Sequence, residues 1–234
     1  VKAHPQARTA GLSLVAALRE AGAYDRALEQ AHQLLIKRSS DANALSELAL
    51  THLAKGEVDT AELLIGEARK ADPNSARAER TAGLIALKKG DDAEAFRHFS
   101  KASELDPSDT TARLNIGTVM LQAGVYDKAR QQFEAVTEVN PDDVPALLGL
   151  AAARRGLAKK DDTAALSEVE SLLERALDKQ PNNLSATFNL GVLYADYLKR
   201  PNEARPLFER FLAEAPKTHP GRAEAERFLS AQKR

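Results

Sequence analysis

Cysteine is absent from the 234-residue chain, which excludes disulfides, thiolate metal sites and cysteine nucleophiles. Tryptophan is absent as well, aromatic residues make up 5% of the chain, and 10 Val with 4 Ile are too few for several buried β-strands. The sequence also lacks the glycine-rich, zinc-protease and serine-hydrolase motifs of common enzymes. These absences argue against all-β and nucleotide-binding α/β folds, and we expect no catalytic residue, no cofactor and no metal.

The chain also lacks a charge excess and a long apolar run. Its 33 Lys and Arg stand against 34 Asp and Glu, so nothing marks it for nucleic acid, and we expect no nucleic-acid partner. No stretch approaches the roughly 18 apolar residues of a membrane helix, so we expect no direct membrane span. The first residue is Val1 rather than Met, and we expect native sequence upstream, with any signal or lipid anchor.

Helix-favouring residues dominate what is present, with 43 Ala and 32 Leu. Prolines impose a period on them, because Pro73, Pro107 and Pro141 are evenly spaced (107 − 73 = 34 and 141 − 107 = 34). A fixed period of this length is typical of helical repeats, in which each unit packs against its neighbours. The sequence therefore predicts a repeat protein rather than one long helix or coiled coil.

The residues between the prolines recur at matching offsets. Small residues stand where two helices of a unit should cross, namely Ala49, Gly83, Gly117 and Gly191. Glycines stand where each first helix should end, namely Gly22, Gly56, Gly90 and Gly124. Phenylalanines follow in the second helix at 99, 133 and 208. The pattern resembles the tetratricopeptide repeat (TPR) family, whose unit is a 34-residue helix-turn-helix, and the likeness covers nearly the whole chain.

The resemblance implies an all-α fold, a right-handed superhelical α-solenoid of about six helix-turn-helix units with a C-terminal capping helix. The expected solenoid covers residues 1–218 and the cap residues 219–234. We expect six extra residues near 159–163, because 181 − 141 = 40, and one extra residue in the last unit, because 216 − 181 = 35. The expected units are 8–41, 42–75, 76–109, 110–143, 144–183 and 184–218.

Charged clusters offer the remaining candidates for chemistry. The pairs Asp91-Asp92, Asp142-Asp143 and Asp161-Asp162 stand at predicted helix starts, where carboxylates cap free N–H groups, so we interpret them as caps. The densest basic group could serve an acidic partner or nucleic acid, but we favour a solvated turn, since no aromatic residue flanks it for base stacking. That group comprises Arg154, Arg155, Lys159 and Lys160.

The resemblance further implies that the first helices line a concave groove that binds a protein or peptide. Leucines on that surface would form an apolar strip, with amide and guanidinium groups among them to hold a peptide backbone. The leucines could instead pack between neighbouring first helices. The expected groove residues are Asn43, Leu50, Leu53, Arg77, Arg80, Leu84, Leu87, Leu114, Asn115, Thr118, Leu121, Leu148, Arg155, Phe188, Asn189 and Val192.

The sequence thus predicts a non-catalytic protein-interaction scaffold. One alternative is a periplasmic or outer-membrane-tethered component of a bacterial motility, pilus or secretion assembly, because Ala- and Arg-rich TPR lipoproteins of that sort look similar. A second alternative is a regulatory subunit of an enzyme. RNA binding is disfavoured, since a groove with three arginines is too weakly basic. We favour the bacterial periplasm or outer membrane over the cytoplasm, and the oligomeric state stays open.

Overall fold

The computed structural model of the chain describes residues 5–159 and 162–232, and the regular elements within those ranges are all helical. A π-helical segment, Leu193–Tyr197, continues the eleventh helix. The predicted all-α class is confirmed. The described α-helices are α1 (Pro5–Glu20), α2 (Tyr24–Lys37), α3 (Ala42–Ala54), α4 (Val58–Ala71), α5 (Ala76–Lys89), α6 (Asp92–Leu105), α7 (Thr110–Gln122), α8 (Tyr126–Val139), α9 (Val144–Leu157), α10 (Thr163–Lys179), α11 (Leu184–Val192), α12 (Pro201–Glu214) and α13 (Arg222–Ala231).

The helices form two compact units, Val1–Ala112 and Arg113–Arg234. In the first unit, α1 packs with α2, α3 with α4 and α5 with α6, and α3 also contacts both α1 and α5. In the second unit, each helix from α8 to α13 packs against the next one along the chain. We propose that these helices form the six expected repeats, each made of two consecutive helices, and that α13 is the capping helix.

Paired helices approach most closely where a glycine of one faces a phenylalanine of the other. A Cβ atom at Gly83 would lie 2.6 Å from Cδ1 of Phe99, and one at Gly117 would lie 2.7 Å from Cζ of Phe133. Both rings are buried and cannot retreat without disturbing the core. Any side chain at these two glycines would therefore overpack the crossing, which confirms their predicted role.

Helix ends follow the predicted signals. Gly56 and Gly90, which follow α3 and α5, have φ of +83° and +80°, a left-handed conformation that favours glycine. At helix starts, the carboxylates of Asp91, Asp143 and Asp162 each accept a hydrogen bond from a backbone N–H of the first turn. The cap interpretation is confirmed for these three, whereas Asp161 lies outside the described residues.

The six inserted residues lengthen both the connection between α9 and α10 and helix α10 itself. Helix α10 begins 19 residues after α9 begins (163 − 144), whereas α6 begins 16 residues after α5 begins (92 − 76). Helix α10 is also longer, with 17 residues against 14 in α6. Three extra residues therefore precede α10 and three lengthen it, which gives the second unit an additional part-turn of helix.

Glycine-to-alanine substitutions at two helical positions should have opposite effects. Gly83→Ala should lower the free energy of unfolding by about 1–3 kcal/mol, because the new methyl group overlaps the Phe99 ring. Gly66→Ala, within α4, should raise it by up to about 1 kcal/mol, since nothing lies within 4 Å of the added Cβ and alanine favours helix. Urea unfolding of both variants measures this, and equal effects would contradict the close crossing.

Candidate partner-binding site

Three of the predicted groove leucines stand apart from the core of the first unit. Leu50 on α3 and Leu84 and Leu87 on α5 are half-buried, and they are not among the residues that form or pack against the two buried core clusters of this unit. Leu53, in contrast, does pack against the cluster that contains Leu45 and Ile65. Because α3 and α5 contact each other, corresponding positions on the two helices lie side by side. We call Leu50, Leu84 and Leu87 the leucine face.

The predicted groove arginines of the first unit are already paired. Arg77 on α5 and Arg19 on α1 both donate to Glu47 on α3, whose side chain is only 2% exposed. Arg80 donates to Asp109. These pairs satisfy the buried carboxylate and connect three first helices, but they occupy the guanidinium groups that the sequence assigned to a partner.

Asn43, the remaining predicted groove residue of this unit, lies beside an ion pair whose carboxylate is buried. The Asp41 carboxylate accepts from the backbone N–H of Asn43 at 3.1 Å and of Ala44 at 3.2 Å, and so caps α3. Arg8 on α1 donates twice to the same carboxylate, both times at 2.6 Å. Burial would raise the pKa of Asp41, but the hydrogen bonds from Arg8 and the backbone lower it below its ordinary value.

In the second unit the predicted apolar residues are more deeply engaged. Leu114, Leu121 and Leu148 pack against the core cluster while remaining half-buried. Phe188 belongs to an aromatic cluster, with its ring centroid 5.0 Å from that of Phe211. Val192 is 8% exposed and lies in the core, so it is not available to a partner.

The polar groove residues of this unit differ in what they contact. Asn115 is half-buried, and the Thr118 hydroxyl donates to the carbonyl of Leu114 one turn earlier. Arg155 and Asn189 line one small cleft between α9, α10 and α11. The cleft is narrow, with a cavity volume of only about 10 Å³, and we call it the Arg155 cleft. It is lined by Leu148, Ala151, Ala152, Arg155, Val169, Leu173 and Asn189.

An aromatic residue that the sequence analysis did not select stands at this cleft. The guanidinium carbon of Arg155 lies 5.7 Å from the ring centroid of Tyr197, which is 46% exposed. Tyr197 ends the π-helical segment, in which the Leu198 N–H donates to the Leu193 carbonyl five residues earlier. A π turn holds one more residue than an α turn, which accounts for the extra residue of the last repeat.

The basic group near the insertion separates into residues with different roles. Arg154 donates to Glu134 at 3.1 Å and also to Glu168, so it is a structural cation. Lys159 is exposed, as a solvated turn predicts, and Lys160 lies outside the described residues. Arg155 contacts an aromatic ring, so the solvated-turn interpretation does not describe it. Within the described ranges, no cluster of His, Asp or Glu could hold a metal ion.

Sequence models of one family match most of the chain. Models described as tetratricopeptide repeat match residues 12–76, 46–110, 86–153 and 169–219. The chain belongs to the tetratricopeptide repeat family. A search of curated proteins found no match to this TPR chain.

None of the helices in residues 5–159 and 162–232 combines the length and hydropathy that a membrane span requires.

Solved structures share the TPR fold at low sequence identity. PilF from Pseudomonas aeruginosa is 19% identical, with a TM-score of 0.75 over 97% of this chain and 98% of that one. A chain of the APC/C hetero-tetramer Cut9-Hcn1 gives 0.80 at 17% identity, over 97% of this chain but 44% of that one. YrrB, described as a TPR protein with an unusual peptide-binding site, gives 0.51 at 23% identity, over 75% and 88%. These likenesses show the fold.

Two substitutions at Asp41 should separate its capping from its charge. Asp41→Ala should lower the unfolding free energy of the TPR protein by about 1–3 kcal/mol at pH 7, because it removes the cap and leaves Arg8 unpaired. Asp41→Asn keeps the cap and should cost less. Because the folded pKa of Asp41 is lowered, its contribution is complete above an ordinary pKa of about 3.9 and is lost as pH falls through the folded pKa. Urea unfolding from pH 7 to pH 2 should thus show a shallower acid loss for Asp41→Asn, and an unchanged slope would refute the assignment.

Proposed function

We propose that this TPR protein is a non-catalytic scaffold that binds a peptide or a helix of another protein on its first helices. TPR proteins are generally protein-interaction scaffolds. The observation that carries the proposal is the leucine face, because neighbouring half-buried apolar side chains outside the core clusters are typical of a contact surface. A regulatory subunit would also act by binding a protein, so the same face would serve that alternative.

Charge pairing beside the leucine face favours a preformed surface. Glu47 accepts hydrogen bonds from arginines on the two neighbouring first helices, so α1, α3 and α5 are tied to one another before any partner arrives. A surface that needs little ordering loses less conformational entropy on binding. Since these charges neutralise each other, the leucine face would select its partner by apolar contact and shape rather than by charge.

We also propose a cellular setting, an assembly of a bacterial envelope that serves motility, a pilus or secretion. The support is a likeness of fold, because PilF from a bacterium overlaps this chain over nearly the whole length of both. Fractionation of the native organism, followed by an antibody against this chain, should place the protein with periplasm or outer membrane. Recovery in the cytoplasm alone would contradict this setting and leave the binding proposal intact.

A charge placed on the leucine face should weaken peptide capture. Peptides selected from a displayed random library by the wild-type protein should bind Leu84→Glu at least about tenfold more weakly, because a carboxylate must be desolvated against the apolar contact. Fluorescence anisotropy with the selected peptides measures the change, and circular dichroism checks that the helices persist.

The matched control carries the same substitution on another face. Leu63 on α4 is 74% exposed, so Leu63→Glu introduces the same charge into the same unit outside the first helices. Binding should stay close to wild type in this variant. Equal losses in both variants, or no loss in Leu84→Glu, would exclude the leucine face as the binding surface.

A further inference from the structure

We propose that two copies of this chain pair through an exposed apolar face of helix α1. The face consists of Ala10, Leu14 and Ala17, which are exposed and lie on one side of the helix at spacings of four and then three residues. We call these three residues the α1 face. It is distinct from the leucine face, which lies on α3 and α5.

Comparison with the other repeats marks the α1 face as an exception. Leu14 is 46% exposed, whereas the residue at the same position of each later repeat is at most 6% exposed. The offset is 34 residues from one repeat to the next (48 − 14 = 34) and 40 across the insertion (190 − 150 = 40). Ala10 and Ala17 are exposed as well, and their counterparts in the later repeats are all buried. The counterparts of Leu14 are Leu48, Ala82, Ile116, Leu150 and Leu190.

Within the first unit, a preceding helix covers the counterpart of this face on α5. Helix α4 packs against α5, and their apolar stripes lie in one buried cluster with the same spacing, four residues and then three. Since the two helices are consecutive and joined by a short turn, they run antiparallel. The stripes consist of Ala78, Ala82 and Ile85 on α5 and of Ala61, Ile65 and Ala68 on α4. The α1 face therefore has the form of one half of an antiparallel helix pair.

A second copy of α1 has the features of such a covering helix. The α4 stripe places one branched residue, Ile65, between two alanines, and the α1 face places Leu14 between two alanines. In an antiparallel pair Leu14 would meet Leu14 of the partner subunit, and Ala10 would meet Ala17 of the partner subunit. Small side chains on both sides of the central leucines let two helices approach closely.

The distribution of charge also fits a second copy. Residues 9–18 contain no charged side chain, so two α1 faces can meet without desolvating an ion. The arginines that flank this stretch are neutralised, Arg8 by Asp41 and Arg19 by Glu47. The exposed Glu20 would lie near the start of the partner's α1, where the first turn has no acidic residue and free N–H groups attract a carboxylate.

Helix α13 of a second copy is a poorer match for the α1 face. Its exposed residues include Glu224, Glu226 and Arg227, so packing them against the apolar α1 face would bury charges without partners there. Pairing of α1 with α1 covers the apolar face of both copies in one contact and gives a closed dimer with two-fold symmetry.

Sedimentation velocity at increasing protein concentration tests for the dimer. One helix pair is smaller than a standard interface of about 1,600 Å², so wild type should pass from monomer to dimer between about 1 and about 200 μM. Leu14→Glu should raise the dissociation constant at least about tenfold, because each copy places a carboxylate at the centre of the contact. The matched control is Ile36→Glu, at a 76% exposed position on α2, which should dimerise like wild type. Circular dichroism checks that each variant is folded.

Disulfide cross-linking defines the arrangement, because the chain has no cysteine of its own. Leu14→Cys should oxidise to a covalent dimer, since α-carbons across a close helix pair come within the roughly 4.4–6.8 Å that a disulfide requires. A mixture of Ala10→Cys and Ala17→Cys should cross-link faster than either variant alone, as antiparallel helices require. Ile36→Cys should stay monomeric under the same conditions.

Four results would overturn the proposal. These are a wild-type chain that is monomeric at every concentration, a Leu14→Glu dimer as tight as that of wild type, cross-linking of Ile36→Cys as fast as that of Leu14→Cys, and cross-linking of Ala10→Cys alone as fast as that of the mixture. A monomeric wild type would leave the α1 face to a helix of another origin.

The dimer and the binding of a partner on the leucine face can be tested separately. The position of Leu50 corresponds to Ala16 on α1 (50 − 34 = 16), and Ala16 lies two residues from Leu14, which is about 200° around the helix. Leu14→Glu should therefore leave the binding of library peptides unchanged, and Leu84→Glu should leave the dimer intact. Loss of only one property identifies which of the two surfaces is correct.

Discussion

Contact between a phenylalanine ring and the bare backbone of a facing helix sets the spacing on which the remaining structure depends. Phe133 on α8 shows it best, because its ring lies against Gly117 on α7 and also against Gly149 on α9. One buried ring therefore contacts two neighbouring helices at positions that leave no room for a Cβ atom, and it fixes the spacing of three consecutive helices. The directions of the surface side chains follow from this spacing, including those proposed to meet a partner.

Ion pairs add a second level of organisation to the packed helices. Glu47 and Glu79 are both almost fully buried, and each accepts from cationic groups on neighbouring helices. Burial would raise the pKa of Glu79, but hydrogen bonds from Lys101 and His98 lower it, so the carboxylate stays charged. Such groups orient helices rather than add much net stability, since desolvation offsets most of the attraction.

The periodicity of the sequence was sufficient to predict the helices but not their side-chain partners. Proline and glycine act within one turn of chain, so the ends of α5 and α6 follow directly from local residues such as Gly90. The pairing of Arg77 with Glu47 joins residues thirty positions apart, and it depends on how two helices meet. The resemblance assigned Arg77 to a ligand, and no local signal opposed that. Tyr197 escaped selection for a related reason, because the position of the extra residue within its turn cannot be located by counting.

The π turn has a consequence for how such a chain can diversify. An inserted residue would ordinarily shift every later side chain by about 100° around its helix, and so disrupt the packing of all that follows. Here the wider turn absorbs the residue before α12 begins, and Phe208 still lies against Gly191 as in the regular repeats. An insertion confined in this way changes the chemistry of one surface position at little cost to the core.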